Sequence, residues 1–392
     1  MRRSIAWGPR NGPQTPNARG APAKPWRPSI LGLALALCLL VAGERTLAQA
    51  PGSRAPQSWD EVVAAAKKEG VLVWSFFGAP GSATEKHARE FEKLYGIKVE
   101  MAPGRTGDFE ARWNAERSAG KPSIDVRSSG SPENRRLSVR KLDQPFGTLP
   151  VLQEPGVQWI VDPLVDVKAG NGHTLHFTAG GYFLLVNNKL VPPEMGPRSY
   201  KDLEDPKYKG LIVLSEPIGP SPGSRWAAYA WRAYGDEHLR KVIGNVKALT
   251  RAEIDAPKQI ARGEYGIFIH PTQVGAADIW KLPKPHPFRL VVPEDGVMLL
   301  TGGINLLQGA PHPNAGRVFM NYLLTRSAQQ IQADDPGGPF IRKDVKPAVP
   351  ELAHFVTAKP FPNNPDTYEF GSKLFFEWSA KAEPHLKAAG LK

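Results

Sequence analysis

The chain has 392 residues and a formal net charge of +12. This length is enough for two lobes rather than one core, and an ordinary apolar content without long biased tracts excludes a disordered or repeat protein. The densest basic stretch, residues 135–141, has no aromatic residue between its cations. It therefore fits a solvated helix face better than a nucleic-acid-binding surface.

The first 48 residues have the pattern of a signal peptide. A basic segment over residues 1–28 precedes an uncharged apolar run, which is followed by an A-x-A pattern at residues 48–50. The run is about 14 residues long, whereas a helix that spans a bilayer needs roughly 20. We therefore predict cleavage after Ala48 and a periplasmic mature protein, with an uncleaved membrane anchor as the alternative.

The mature chain is predicted to contain no cysteine, because Cys38 lies inside the apolar run. Leu37 precedes it where a lipoprotein site needs a small residue, so lipidation is not expected. An exported protein without disulfides must be stable through burial alone. Removal of residues 1–48 leaves 43 Lys and Arg against 37 Asp and Glu, a mild positive excess.

Helices and strands alternate at the start of the mature chain. Capping boxes at Ser58–Glu61 and Ser82–Glu85 predict two helix starts, and Gly70 and Gly96 predict the ends of these helices. A continuous apolar run over residues 71–77 predicts a strand that is buried on both faces of a parallel sheet. Two further strands are predicted over 97–103 and 123–130. This order predicts an α/β lobe.

The three loops that follow these strands are rich in Gly, Ser or Thr. Ligands of open α/β sheets bind beyond the C-terminal strand ends, and backbone N–H groups near helix starts suit an anionic group. The glycine spacing fits neither a dinucleotide fingerprint nor a P-loop. The predicted ligand-binding residues of this lobe are Phe77, Gly78, Arg105, Thr106, Ser129, Gly130 and Ser131.

A strand after residue 180 leads into a polar step, three prolines, a short helix and the strand "LIVLSEP". The stretches 187–192, 197–203 and 205–210 resemble the bacterial extracellular solute-binding proteins that serve ABC transporters. The likeness is to the branch that includes ferric-iron, thiamine, polyamine and maltose binders. Residues 262–280 and 295–330 also match, so the resemblance extends over roughly 58–345.

The resemblance implies a type 2 periplasmic binding fold, in which two α/β lobes are joined by crossing strands at a hinge. Lobe 1 is expected over 49–180 and 292–335, and lobe 2 over 181–291 and 336–392. The strand before Asn187 is then the hinge strand, and the prolines that follow stiffen its exit. By the same resemblance, the other predicted ligand-binding residues are Thr178, Ser221, Gly223, Ser224, Arg225, His270, Gln273 and Gly302.

Two motifs that suggest other chemistry are discounted. Residues 219–223 fit G-x-S-x-G, but Pro222 follows Ser221 and has no N–H group for an oxyanion hole. His173 and His176 have no third metal ligand at a matching spacing, so we expect surface or hinge histidines. The chain also lacks the adjacent tyrosines of ferric-iron members of the family, which argues against iron binding.

The sequence therefore predicts a periplasmic substrate-binding component of an ABC importer, without catalytic residues, metal or cofactor. It is expected to be a monomer that captures a small anionic solute between its lobes and docks on a permease in the inner membrane. The anion is inferred from the Gly, Ser and Thr loops and from Arg105 and Arg225, one in each lobe. The alternatives are an exported enzyme on the same fold and a ligand-sensing partner of a membrane receptor.

Overall fold

The computed structural model describes residues 57–77, 82–219, 221–359 and 373–391. The predicted signal peptide and Gly78 lie outside these ranges, and the side chains of Phe77 and Thr106 are not described. Within the described ranges, no helix is long and apolar enough to cross a bilayer.

The first sheet combines parallel and antiparallel pairs. Its strands, among the described residues, are β1 (Val71–Phe77), β2 (Lys98–Gly104), β3 (Val126–Gly130), β4 (Leu175–Gly181) and β10 (Leu299–Leu306), in the spatial order β2-β1-β3-β10-β4. Strand β1 pairs in parallel with β2 and β3, as its continuous apolar run predicts. Strand β10 returns antiparallel between β3 and β4.

The second sheet has the same mixed character. Its strands in the described chain are β5 (Leu184–Asn187), β6 (Ile212–Ser215), β7 (Val246–Thr250), β8 (Ile267–Ile269) and β9 (Phe288–Val291), in the order β7-β6-β8-β5-β9. Strand β6 is parallel to β7 and β8, and β5 is antiparallel to β8 and β9.

Helices cover both sheets. Those that follow strands of the first sheet, or precede them, are α1 (Trp59–Glu69), α2 (Ser82–Tyr95), α3 (Thr106–Ser118), α4 (Ser131–Val139), α5 (Val165–Lys168), α9 (Pro313–Leu323) and α10 (Arg326–Ala333). The remaining helices are α6 (Pro222–Tyr234), α7 (Asp236–Asn245), α8 (Asp255–Arg262), α11 (His354–Thr357), α12 (Lys373–Ser379) and α13 (Glu383–Ala388). Short 3-10 turns occur at Pro150–Gln153, Pro193–Met195, Lys201–Glu204, Pro206–Tyr208, Ala277–Lys281, Pro350–Ala353 and Ala380–Ala382. The predicted capping box of α1 is formed by Ser58 and Glu61.

The chain passes from the first sheet to the second at Tyr182 and Phe183. Gly181 pairs with Leu299 at the end of β4, the N–H group of Tyr182 donates to Met298 O at 2.9 Å, and β5 then begins in the other sheet. The return connection therefore runs beside the outgoing one. Two α/β lobes joined by adjacent crossing segments confirm the predicted fold class.

The polar step after β5 lies inside the second lobe rather than at the crossing. The Asn187 side chain accepts hydrogen bonds from the N–H groups of Lys189 and Leu190 at 3.0 and 2.9 Å. Its amide donates to Ile260 O at 2.8 Å. Asn187 thus caps a turn, which is a role that its short polar side chain favours.

A C-terminal segment also connects the lobes. The N–H group of Ile341 donates to the Gln329 side chain at 2.8 Å, and its carbonyl accepts from Ile160, so this stretch packs on the first lobe. Val349 and Phe355 are buried in a core of the second lobe. The N–H group of Ala348 still donates to Ala333 O in α10. The division into lobes stays a prediction, but these contacts favour a last crossing between residues 348 and 349 rather than at 336.

Candidate functional site

A cavity of about 650 Å³ lies between the two lobes. The first lobe contributes the C-terminal ends of β1, β3 and β4, the β10 strand and the first turns of α2 and α4. The second lobe contributes helix α6 and the loop that follows β8. The position beyond the strand ends is where open α/β sheets bind ligands, as the sequence predicts.

Aromatic residues form the wall of this cavity on the first lobe. Trp74, Phe76 and Phe177 line it, and the rings of Trp74 and Phe76 are 5.0 Å apart. The indole N–H group of Trp74 donates to the Ser128 hydroxyl at 2.8 Å, so its polar atom is satisfied within the wall. The wall therefore offers an apolar surface to the organic part of a ligand.

The predicted ligand-binding residues at the C-terminal end of β3 reach the cavity. Ser129 and Gly130 line it, and Gly130 is the N-cap of α4 without any side-chain cap. The buried Ser131 instead donates its hydroxyl to Thr301 O at 2.7 Å, which joins the start of α4 to β10. Ser131 therefore supports the loop rather than lining the cavity.

The structure does not bring Arg105 to the cavity wall. Arg105 is exposed at the N-cap of α3, and it is not among the described residues that line the cavity. Its predicted ligand contact stays a prediction, as do those of Phe77, Gly78 and Thr106.

Arg225 is the charged residue that the second lobe contributes. It lies on the first turn of α6 and lines the cavity, and its Nη1 donates to the Tyr182 hydroxyl at 2.7 Å. Tyr182 itself is only 1% exposed. Burial raises the pKa of Tyr182, whereas the charge and hydrogen bond of Arg225 oppose the rise. The hydroxyl therefore stays neutral and orients the guanidinium.

The other predicted residues of this region build the start of α6. Ser221 and Ser224 form a reciprocal capping box, with the N–H group of Ser224 donating to Ser221 Oγ at 3.0 Å. A side chain at Gly223 would overlap the carbonyl of Ser215, so only glycine permits this close approach. The Ser221 hydroxyl also donates to Glu216 O. These residues position Arg225 and do not line the cavity.

His270 supports the cavity from behind. Its ring stacks on Tyr182 with centroids 4.3 Å apart and an interplanar angle of 11°, and its Nδ1 is 3.3 Å from Pro222 O. Burial lowers the pKa of His270 to about 3, so the imidazole is neutral. Its φ of 66° lies in the left-handed region, which histidine tolerates better than most residues.

Three further predicted residues line the cavity, namely Thr178, Gln273 and Gly302. Gln273 is 4% exposed, and its Oε1 would be 2.5 Å from a Cβ atom at Gly180. A Cβ atom at Gly302 would overlap the Thr178 hydroxyl. Glycine at 180 and 302 thus lets polar side chains lie against the strands.

Arg136 and Glu133 are cavity residues that the sequence did not reveal. Both are on α4, three positions apart and therefore on one face of the helix. Glu133 is buried and accepts hydrogen bonds from Arg127 at 2.8 and 3.0 Å. Arg136 is exposed at the rim, with Nη2 3.7 Å from Glu110. The basic stretch 135–141 was predicted to be a solvated helix face. Arg136 is exposed, as predicted, and it also lines the cavity.

The charge at the cavity is positive. Among the described residues that line it, only Glu133, Arg136 and Arg225 are charged, and Glu133 is already paired with Arg127. One arginine therefore faces the cavity from each lobe. This arrangement favours an anionic ligand group.

The two histidines that could suggest a metal contact different carboxylates. His173 Nδ1 is 3.6 Å from Asp143, while His176 Nε2 is 3.0 Å from Asp166. His176 is fully buried in β4, so the expectation of a surface residue is wrong for it. Within the part of the chain that the structure describes, no group of three His, Cys, Asp or Glu residues could hold a metal ion.

Comparisons with known proteins show the family of the chain. A model of the bacterial extracellular solute-binding protein family matches residues 86–360. A relative from Salmonella typhimurium, named a putative 2-aminoethylphosphonate-binding periplasmic protein, is 25% identical over 265 residues, which are 66% of this chain and 74% of the relative.

Two solved structures share the fold. An ABC transporter protein of Clostridium perfringens has a TM-score of 0.61 at 18% identity, and the match covers 80% of this chain and 99% of that one. A periplasmic binding protein of Actinobacillus pleuropneumoniae, solved with fructose-6-phosphate bound, has a TM-score of 0.58 at 20% identity, again over 80% and 99%. The chain therefore belongs to the bacterial extracellular solute-binding protein family, which confirms the predicted solute-binding function.

Proposed function

We propose that this protein is the periplasmic substrate-binding component of an ABC importer and that it captures a small anionic solute between its lobes. The observation that carries the proposal is the pair Arg136 and Arg225, which line the cavity from opposite lobes. Guanidinium groups suit carboxylate, phosphate and phosphonate because their paired N–H donors match two oxygens.

A phosphonate or phosphate group is the anion that we propose. The Thr178 hydroxyl and the start of α4, whose N-cap Gly130 has no side-chain cap, line the same cavity as the two arginines. Such donors suit an oxyanion with several acceptor atoms. The names of a 2-aminoethylphosphonate-binding relative and of a structure with a bound sugar phosphate support this class.

The solute also carries an organic part. Ligand sites of this kind usually enclose about 300–1,000 Å³, and a cavity of about 650 Å³ is larger than a bare phosphate ion requires. The aromatic wall of Trp74, Phe76 and Phe177 provides an apolar surface for that part. Inorganic phosphate is therefore expected to bind more weakly than an organic phosphonate or phosphate.

The export, the oligomeric state and the membrane partner of the protein are part of the same proposal. Residues 1–48 act as a cleaved signal peptide, the mature protein is a periplasmic monomer, and the loaded form docks on an inner-membrane permease. The chain binds its solute and does not transform it. The Ser221 hydroxyl supports this, because it caps α6 instead of facing the cavity.

Calorimetric titration of the mature chain with a panel of solutes tests the proposal. The panel contains 2-aminoethylphosphonate, fructose-6-phosphate and inorganic phosphate, with spermidine as a cationic control and maltose as a neutral control. We expect heat of binding with at least one organic phosphonate or phosphate and with neither control. Binding of spermidine or maltose alone would overturn the anionic class.

A further inference from the structure

We infer that Tyr182 is a positioning residue for solute binding, and that its hydroxyl holds the Arg225 guanidinium at the cavity wall. The inference rests on the proposed function, because it assigns Arg225 to the anion. It adds a residue at the crossing between the lobes to the binding machinery, although the hydroxyl itself need not touch the solute.

The geometry ties Arg225 to the crossing segment. Tyr182 is the first residue after β4, and its N–H group is bonded to Met298 in the returning segment. Its hydroxyl accepts from Arg225 Nη1 at 2.7 Å, and the guanidinium carbon is 5.9 Å from the centroid of its ring. The guanidinium of Arg225 is thus hydrogen-bonded to a residue of the segment that connects the two lobes.

The Tyr182 ring is itself fixed. His270 stacks on one face of it at 4.3 Å, and the ring of Tyr200 packs edge-on against His270 at 5.6 Å. His270 Nδ1 faces Pro222 O at 3.3 Å, and Pro222 begins the helix that carries Arg225. The Tyr182 ring is therefore linked through His270 to the start of the helix that carries Arg225.

A neutral hydroxyl is suited to this task. A carboxylate in its place would also orient Arg225, but it would cancel the charge that an anion needs. The hydroxyl aligns the guanidinium and leaves its charge in place. An arginine that is held before binding loses less side-chain freedom when the solute arrives, and such preorganisation strengthens binding.

Tyr182→Phe in the mature chain tests the inference, because it removes the hydroxyl and keeps the ring that stacks on His270. Tyr208→Phe is the matched control. Tyr208 is also 1% exposed in the second lobe, but its hydroxyl donates to Met195 O at 2.8 Å, away from the cavity. Both variants lose one buried hydroxyl, so a general loss of stability affects them alike.

The first measurement needs no solute. Relaxation of the ¹⁵N nucleus of the Arg225 side chain, assigned with Arg225→Lys, reports the order of its Nε–H bond on the ps–ns scale. We expect the order parameter to fall in Tyr182→Phe and to stay at the parent value in Tyr208→Phe. An Arg225 side chain that is equally ordered in the parent and in Tyr182→Phe would overturn the inference.

The second measurement uses 2-aminoethylphosphonate and inorganic phosphate as probes in calorimetry. We expect Tyr182→Phe to weaken binding about tenfold, the size of a lost charge-assisted hydrogen bond, and Tyr208→Phe to bind like the parent. In the Arg225→Ala background, Tyr182→Phe should have no further effect. The same tenfold loss in that background would contradict positioning through Arg225.

The two measurements separate this inference from the proposed function. If the parent binds none of the phosphonates and phosphates of the panel, the phosphonate or phosphate proposal fails, and the order of Arg225 decides the inference by itself. If the parent binds and Tyr182→Phe binds equally well, the inference fails while the proposed function stands.

Discussion

The two arginines at the cavity differ in how firmly the protein holds them. Arg225 is half-buried and bonded to the hydroxyl of Tyr182. The side chain of Arg136 is 53% exposed, and its contact with Glu110 is a surface ion pair of 3.7 Å, a kind that contributes little. A bond to a solute is stronger where water is excluded, so Arg225 should carry more of the binding free energy.

Arg225→Ala should weaken solute binding by about 1.5–3 kcal/mol, the value of a hydrogen bond to a charged group, or roughly 10- to 150-fold. Arg136→Ala should weaken it by less than about 1 kcal/mol, because its side chain is exposed to water. Calorimetry with the solute that binds best in the panel measures both.

Arg232→Ala is the matched control for Arg225→Ala. Arg232 lies on the same helix two turns later, and its guanidinium is stacked over Trp378 at 4.6 Å rather than facing the cavity. It should bind the solute like the parent. Equal losses from Arg225→Ala and Arg232→Ala would mean that α6 is damaged in general and that Arg225 has no special role.

The sequence predicted Arg225 but not Arg136, for a physical reason. Arg225 follows a Gly- and Ser-rich helix start, and the family resemblance places that loop at the cleft. Arg136 stands in a basic helical stretch whose local pattern only predicts exposure. Which part of an exposed helix face borders a cavity depends on the opposite lobe, and no local pattern carries that information. The bond between Tyr182 and Arg225 spans 43 positions for the same reason.

At the scale of elements, the crossing segments are packed more tightly than their small residues suggest. Gly180 and Gly181 end β4 and are buried. A side chain at Gly181 would overlap the ring of Phe355, which belongs to α11 in the C-terminal segment. The end of the outgoing strand and helix α11 are therefore in direct contact.

Gly181→Ala should lower the free energy of unfolding by about 1–3 kcal/mol, because a methyl group has no room beside the rigid ring. Gly244→Ala is the control: nothing lies within 4 Å of a Cβ atom there, and alanine favours helix α7 by roughly 0.5–1 kcal/mol. Urea unfolding measures both variants. A Gly181→Ala protein as stable as the parent would show that Phe355 can move aside.

The elements were predictable to different degrees. Strand β1 was predicted with its bounds, because a long apolar run buried on both faces has a clear signature. The break between β4 and β5 was not, since residues 180–187 form one apolar run and only pairing with different sheets divides it. The last crossing that the contacts favour, between residues 348 and 349, follows no local sequence pattern.

At the scale of the whole molecule, the lobes are proposed to close on the solute. Val274 lines the cavity and is 67% exposed, so closure would cover apolar surface that now faces water. We expect small-angle scattering of the mature chain to show a smaller radius of gyration at saturating 2-aminoethylphosphonate. Arg225→Ala at the same concentration should show no change. A parent radius that does not change on binding would contradict closure.

A neutral buried histidine in each lobe should make stability depend on pH. Burial lowers the pKa of His87 and of His270 to about 3, whereas an unfolded histidine titrates near 6.5. The contribution of these neutral imidazoles to the free energy of unfolding is therefore fully present above about pH 6.5, and it is lost as the pH falls toward 3. Each histidine should lower the free energy of unfolding by up to about 1.4 kcal/mol per pH unit in this range.

Urea unfolding between pH 7 and pH 5 measures this slope. His270→Asn should remove about half of the dependence that the two histidines cause, and asparagine tolerates the left-handed φ of this position. A parent chain whose stability is the same at pH 7 and pH 5 would contradict the assignment of neutral buried imidazoles.

The central claim is that an anionic solute binds between the lobes at Arg225. A crystal structure of the mature chain, purified from its native periplasm with the solute that it carries, tests this claim most directly. We predict density for a small phosphonate or phosphate in the cavity, with an anionic oxygen about 3 Å from a guanidinium nitrogen of Arg225. A cationic or neutral solute there, or an anion bound outside the cavity, would contradict the account.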